Sequence, residues 1–126
     1  MTRFFLLAGS LSGFLSVAFG AFGAHALKER LDAYSLGVFQ TGVQYQFLHA
    51  IVLLLLAGWL RQEDQALVRG AGYFFIGGSV VFSGSLYTLA LSGVKLWGAV
   101  TPLGGLSFLA GWLCLFFAAW KLSERY

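Results

Sequence analysis

The stretch TGVQYQFLHA, residues 41–50, runs without interruption into IVLLLLAGWL, residues 51–60. The second stretch is apolar enough to enter a bilayer, where a spanning helix needs about 20 largely apolar residues. The first stretch places glutamine, tyrosine and histidine side chains where hydrocarbon penalises polar groups. Together they predict a membrane span with a polar patch at one end.

Composition indicates that the whole chain belongs in a membrane. The 126 residues are 59% hydrophobic and 10% charged, and the mean hydropathy is +0.80. These values lie outside the range of soluble globular domains. The chain has one proline and no Ser/Pro-rich or charge-rich run, which argues against disorder or an interdomain linker. We expect a single domain over residues 1–126.

Four segments are long and apolar enough to span a bilayer. They are residues 4–26, 43–60, 70–93 and 102–120. Between the first two, residues 27–40 repeat apolar side chains at helical spacing with the charges off that stripe, which predicts an amphipathic interfacial helix. The alternative is a solvated helical connection packed on the end of the bundle. The expected fold is an all-α integral membrane protein, a four-transmembrane-helix bundle with this interfacial helix.

The first span has one helix face made of small residues. They are Gly9, Gly13, Ser16, Gly20 and Gly23. Such a face is typical of membrane helices that approach each other closely. The AHA sequence at 24–26 also resembles a signal-peptidase cleavage site after an apolar run. Because a discarded signal peptide has no need of a packing face, we expect the first span to be retained.

The distribution of Lys and Arg predicts the orientation. With four spans, both termini share a side with the loop 61–69. That side carries Arg3, Arg61, Arg69, Lys121 and Arg125, and the opposite side carries Lys28, Arg30 and Lys95. The positive-inside rule therefore places both termini in the cytoplasm. The scattered cations form no contiguous basic stripe, so nucleic-acid binding is not expected.

Polar residues of all four spans are expected to meet in the non-cytoplasmic half of the bundle. At about 100° per residue, Thr41, Tyr45, Gln46 and His49 fall within an arc of roughly 140° on one helix. Because unpaired polar groups are costly in hydrocarbon, they should face inward. The candidate polar pocket comprises His25, Gln46, His49, Tyr87, Thr101, Gly104 and Gly105.

Three interpretations of this polar patch remain open. It can be a buried hydrogen-bond network that fixes helix register, or a pocket for a small molecule, a lipid headgroup or a proton. In the third, His25 and His49 bracket a b-type haem iron or contribute to a metal site. No CxxCH, HExxH or acidic cluster accompanies these histidines. A GxSxG nucleophile motif is also missing, so we expect neither an intramembrane hydrolase nor a resident cofactor.

Several short motifs together resemble a known family. They are GAFGAHAL (20–27), TGVQYQFLHA (41–50), FSGSLY (82–87), TPLGG (101–105) and GW (111–112). In these the chain is similar to the bacterial membrane family labelled domain of unknown function 423, which also has a relative among small mitochondrial transmembrane proteins. The resemblance covers nearly the whole chain. It implies a four-span inner-membrane protein without an assigned reaction and supplies no catalytic residues.

The leading functional hypothesis is a non-enzymatic protein of the inner membrane that acts by helix association. It would work as a homo-oligomer or as an accessory subunit of a larger membrane complex, as suggested by the small-residue face and the low span count. One alternative is a binding or transport module for a small molecule, lipid or proton at the polar pocket. The second is a haem carrier with two histidine ligands.

Overall fold

The computed structural model describes residues 1–122 and contains four long helices. They are α1 (Thr2–Leu27), α2 (Ala33–Gln62), α3 (Ala66–Ser92) and α4 (Thr101–Trp120). A 3₁₀ turn at Lys95–Ala99 precedes α4. Each helix, with this turn counted in the fourth, is long and apolar enough to cross a membrane. This result confirms the four predicted spans by length and composition.

The helices α2 and α3 form the centre of the bundle, with α1 packed along α2 and α4 packed along α3. The largest fully buried apolar side chains are Phe5, Leu53, Leu56, Val68 and Phe75. The outward faces of α1 and α4 instead expose leucine and phenylalanine side chains, as expected for helices whose outer surface meets acyl chains.

The small-residue face of α1 packs against α2 of the same chain. A Cβ atom added to Gly9 would lie 3.0 Å from the backbone oxygen of Ala50, and one added to Gly23 would lie 3.0 Å from the Phe39 ring. Ser16, on the same face, is buried. The face is therefore a packing surface, as predicted, but its partner is within the chain. It offers no support for self-association.

The interfacial helix predicted over residues 27–40 is not formed as a separate element. Residues 28–31 make a turn, and Asp32 caps α2 by accepting a hydrogen bond from the backbone N–H of Ser35 at 2.7 Å. The same contacts with Ser35 lower the pKa of the Asp32 carboxyl group. Once capped, the helix continues to Gln62 because no proline interrupts it. The helix of the second span therefore starts at residue 33 rather than 43.

Two irregular segments shape α3. Residues Ser79–Ser83 form a π-helical segment within the span, which shifts the angular position of the residues that follow. Immediately after α3, Gly93 adopts a left-handed conformation with φ of 71°, which glycine tolerates without a steric penalty. The chain then turns into α4, where Pro102 occupies the first turn and its missing N–H is harmless.

Candidate functional site

Gln46 on α2 links three helices. Its Oε1 accepts a hydrogen bond from the hydroxyl of Tyr87 on α3 at 2.6 Å, and its Nε2 donates to the backbone carbonyl of Ser12 on α1 at 3.2 Å. The same carbonyl accepts a hydrogen bond from the Ser16 hydroxyl at 2.7 Å. Gln46 is buried, so these contacts satisfy an amide that hydrocarbon would otherwise penalise.

Tyr87 reaches Gln46 because aromatic rings and a glycine leave it space. Its ring lies edge-on to Phe19 with centroids 5.3 Å apart, and its centroid is 5.0 Å from that of Phe39. A Cβ atom on Gly42 would lie only 2.7 Å from the Tyr87 ring. Gly42 therefore makes room for the tyrosine, a role that no sequence motif indicates.

A cleft of about 330 Å³ lies between α1, α2 and α3 beside this hydrogen-bonded pair. Its polar lining consists of Ser12, Gln46, Ser79 and Tyr87. Its other lining residues are Ala8, Leu11, Leu15, Phe19, Leu53, Ile76, Val80 and Gly84. The cleft is thus mostly apolar with a few polar groups and no charged side chain. Its volume is within the range of small-molecule sites, about 300–1,000 Å³.

Ser79 has a buried hydroxyl without a hydrogen-bond partner, and no other side-chain N or O atom buried in residues 1–122 lacks one. Buried polar groups are almost always paired, and an unmade hydrogen bond costs about 1–3 kcal/mol. The residue lines the cleft and begins the π-helical segment of α3, a type of irregularity that is frequent at functional sites. Contact geometry identifies Ser79, and no motif marks it in the sequence.

His49 lies at a different seam, between α2 and α4. Its Nδ1 is 2.8 Å from the backbone oxygen of Tyr45, so Nδ1 carries the proton, because a carbonyl oxygen only accepts. Its Nε2 accepts a hydrogen bond from the indole N–H of Trp112 at 3.1 Å. The ring also stacks on Phe108 with centroids 3.8 Å apart. Both nitrogens of a neutral imidazole are therefore engaged.

The structure does not support a haem held by His25 and His49. His25 is exposed in the π-helical end of α1, where Gly23 packs against Phe39. Phe39 is ten residues before His49, about 15 Å along α2. One histidine thus points out of the bundle and the other has no free nitrogen. Within residues 1–122, no group of three or more His, Cys, Asp or Glu side chains is placed to hold a metal ion.

The remaining predicted residues lie at or near the contact between α3 and α4. The hydroxyls of Thr101 and Ser85 are hydrogen bonded at 2.6 Å. A Cβ atom on Gly104 would lie 2.4 Å from the backbone nitrogen of Phe82, so this glycine allows two helix backbones to touch. Gly105 has nothing within 4 Å of such an added atom, and it lines an open groove beside α2 and α4.

The structure therefore separates residues that were predicted to share one pocket. Of that set, only Gln46 and Tyr87 line the cleft. The others, placed at the end of α1, in the second groove or at the α3–α4 contact, are His25, His49, Thr101, Gly104 and Gly105. Gln46 and His49 differ by about 60° around α2, which directs them into different interhelical seams.

The fold and these contacts define a small polytopic membrane protein of four apolar helices. The chain belongs to the DUF423 family, described as "Protein of unknown function (DUF423)", whose model matches residues 19–105. The earlier resemblance is thereby confirmed, and the family assignment places the chain among multi-pass inner-membrane proteins.

Relatives match over almost the full chain. The UPF0382 inner membrane protein YgdD of Escherichia coli K12 is 44% identical over 124 residues, which cover 98% of this chain and 95% of the relative. A UPF0382 membrane protein of Staphylococcus haemolyticus is 40% identical over 119 residues, covering 94% of this chain and 97% of the relative. No solved structure matches the chain.

Proposed function

We propose that the cleft between α1, α2 and α3 binds a neutral amphipathic molecule dissolved in the membrane. The observation that carries this proposal is the unpartnered Ser79 hydroxyl in a cleft that also contains the Gln46–Tyr87 pair. The Ser79 oxygen is itself buried, so a rotation of this side chain toward the cleft would let a ligand hydroxyl or carbonyl group satisfy it and remove the penalty of an unmade hydrogen bond. The protein would then act as a binding module.

The lining of the cleft defines the chemistry of the ligand. No charged side chain lines it, so an ionised headgroup would be desolvated without a counter-charge. The Nε2 of Gln46 uses one of its two N–H groups on Ser12, which leaves a second donor for the ligand. The cleft volume of about 330 Å³ is at the lower end of the range of small-molecule sites, about 300–1,000 Å³. It therefore fits a small polar head and a few methylenes, with any longer tail in the bilayer.

We propose that this role involves no reaction. A serine nucleophile needs a hydrogen-bonded base, and no serine hydroxyl in residues 1–122 bonds a histidine. His49 uses both ring nitrogens on Tyr45 and Trp112. These contacts favour a binding protein over an enzyme.

The test uses two glycines with open space around them. Gly84 lines the cleft and Gly58 does not, and a Cβ atom at either position meets nothing within 4 Å. Because its Cβ atom meets no neighbour, Gly84→Leu should extend a side chain into the cleft, and Gly58→Leu is the matched control. Protein purified from its own membranes in mild detergent is extracted with organic solvent, and the extract is analysed by mass spectrometry.

We expect the extracts of the wild type and of Gly58→Leu to contain a neutral lipid-soluble molecule in an amount approximately equal to that of the protein. This molecule should be missing from the extract of Gly84→Leu. Ser79→Ala should weaken retention while leaving the ligand-free fold at least as stable as the wild type, since it removes a buried hydroxyl that makes no internal hydrogen bond. Identical extracts from Gly84→Leu and Gly58→Leu would refute the proposal.

The small-residue face of α1 is buried against α2, so the low span count is the one remaining reason that suggested self-association. An accessory role in a larger complex would need another face of the bundle. Light scattering of the detergent complex measures the number of chains directly. We expect one chain per complex, and a stable dimer would restore the association hypothesis.

We also propose that both termini face the cytoplasm. At the end of the bundle shared by the start of α1 and the end of α4, the described cations are Arg3, Arg61, Arg69 and Lys121, against Lys28, Arg30 and Lys95 at the other end. Arg125, also counted in the prediction, lies outside the described residues. This excess supports a cytoplasmic location. A fluorescent protein that folds in the cytoplasm should therefore fluoresce when it is fused to the C-terminus. Activity of a C-terminal reporter enzyme that works only in the periplasm would contradict this orientation.

A further inference from the structure

We propose that Arg3 and Arg61 form a site for the phosphate headgroup of an anionic phospholipid. The two arginines come from different helices, one at the start of α1 and the other near the end of α2. They line a common groove of about 480 Å³. Thr2, Leu6, Leu7 and Ser10 complete its lining. The site is separate from the cleft described above.

Arg3 and Arg61 line the same groove without an acidic side chain in its lining. Within residues 1–122, Arg69 forms an ion pair with Asp64 in the loop after α2. In the same residues, neither Arg3 nor Arg61 makes an ion pair or a side-chain hydrogen bond. Like charges in one groove repel each other, and a bound anion removes that repulsion. Guanidinium groups match phosphate oxygens through paired N–H donors.

Polar groups beside the arginines also suit a phosphate. The helix α1 begins at Thr2 with no side-chain cap, so its first backbone N–H groups have no intrahelical acceptor and carry the positive end of the helix dipole. The hydroxyl groups of Thr2 and Ser10 lie in the same groove. The groove therefore offers donors and positive charge and contains no acidic side chain.

The apolar part of the groove favours a lipid over a soluble phosphate. Leu6 and Leu7 are 40% and 62% exposed and continue the groove along α1 from the arginines toward the middle of the span. A lipid acyl chain would cover these side chains while its phosphate contacts the guanidinium groups. Basic pockets at the ends of membrane helices bind anionic lipid headgroups by this combination.

The groove and the cleft lie on different faces of α1. At about 100° per residue, Arg3 and Ser10 of the groove lie on the side of the helix opposite Ser12 and Leu15, which line the cleft. The small-residue face that packs on α2 lies between them. Filling the cleft with Gly84→Leu should therefore leave lipid binding at the arginines unchanged, so the two proposals fail independently.

The experiment compares two variants that each lose two positive charges from the same end of the bundle. Arg3→Gln/Arg61→Gln removes the proposed site, and Arg69→Gln/Lys121→Gln is the control. Purified delipidated protein in dodecylmaltoside is titrated with phosphatidylglycerol or phosphatidylcholine, and binding is measured by native mass spectrometry. Arg3, Arg61 and Lys121 are exposed, and Arg69 contributes only a surface ion pair with Asp64. Both variants should therefore fold, which far-UV circular dichroism without lipid verifies.

We expect the wild type to prefer phosphatidylglycerol to phosphatidylcholine. Each arginine near a membrane surface contributes about 1 kcal/mol to the binding of an anionic lipid. The site variant, which loses two arginines, should therefore bind phosphatidylglycerol on the order of 30-fold more weakly. The control should stay within about threefold of the wild type. Equal binding of the two lipids, or an equal loss in the control, would overturn the proposal. Full displacement of the lipid by sodium phosphate at the same concentration would also overturn the proposal.

Discussion

The neighbouring glycines Gly104 and Gly105 provide a sharp test of the contact between α3 and α4. A Cβ atom at Gly104 would lie 2.4 Å from the backbone nitrogen of Phe82 and 2.7 Å from its Cα, whereas one at Gly105 meets nothing within 4 Å. Ordinary contacts between heavy atoms are about 3.5–4.0 Å. Gly104→Ala must therefore push the two backbones apart by about 1 Å, while Gly105→Ala requires no movement.

The two substitutions share the same gain in helix propensity, at most about 1 kcal/mol, so their difference isolates the steric effect. Overpacking typically costs about 1–3 kcal/mol. We expect Gly104→Ala to be less stable than Gly105→Ala by this amount. Unfolding in dodecylmaltoside by added dodecyl sulfate, followed by far-UV circular dichroism, measures both free energies. A difference below about 0.5 kcal/mol, the usual effect of a surface substitution, would refute the close approach at Phe82.

The other predictions concern hydrogen bonds and use the same unfolding assay. A double-mutant cycle of Gln46→Leu and Tyr87→Phe should give a coupling of about 0.6 kcal/mol and no more than about 1.7 kcal/mol, as for other interhelical hydrogen bonds in membranes; zero coupling would exclude the bond. Trp112→Phe should destabilise by about 1–3 kcal/mol because the buried Nε2 of His49 loses its donor, and an unchanged free energy would show that this donor is dispensable. Asp32→Ala should lower the unfolding midpoint at pH 7 and have a progressively smaller effect as the pH falls below 3.8. The folded-state pKa of this carboxyl group is lowered from 3.8, so its stabilisation is present above that value and is lost as the pH falls through the lowered pKa; a pH-independent effect of the substitution would contradict this origin.

The spans were predictable from hydropathy, because the bilayer thickness sets how many consecutive apolar residues a helix needs. The start of α2 was not predictable from hydropathy. Residues 33–40 have an amphipathic period that suits a surface helix and the exposed end of a spanning helix equally well. The outcome depends on where a new helix is capped, and Asp32 supplies that cap. A capping residue inside a predicted amphipathic helix is a signal that the helix begins there.

The candidate site was predictable only in part. Helical periodicity gives the angular position of Gln46 and His49 on α2, but it does not say which helix lies opposite each residue. That assignment depends on the π-helical segment of α3 and on glycines such as Gly42 that let particular rings approach. The isolation of the Ser79 hydroxyl is a property of its three-dimensional surroundings, so no pattern along the chain reveals it.

The most direct measurement is a crystal structure of protein extracted from its own membrane, compared with Gly84→Leu prepared in the same detergent. We expect elongated density in the wild-type cleft, with a polar end within hydrogen-bond distance of the Ser79 hydroxyl and the Gln46 amide. The density should be missing in the variant, whose leucine side chain occupies the cleft. A closed wild-type cleft with Ser79 bonded to a protein group, or the same density in both proteins, would contradict a binding role.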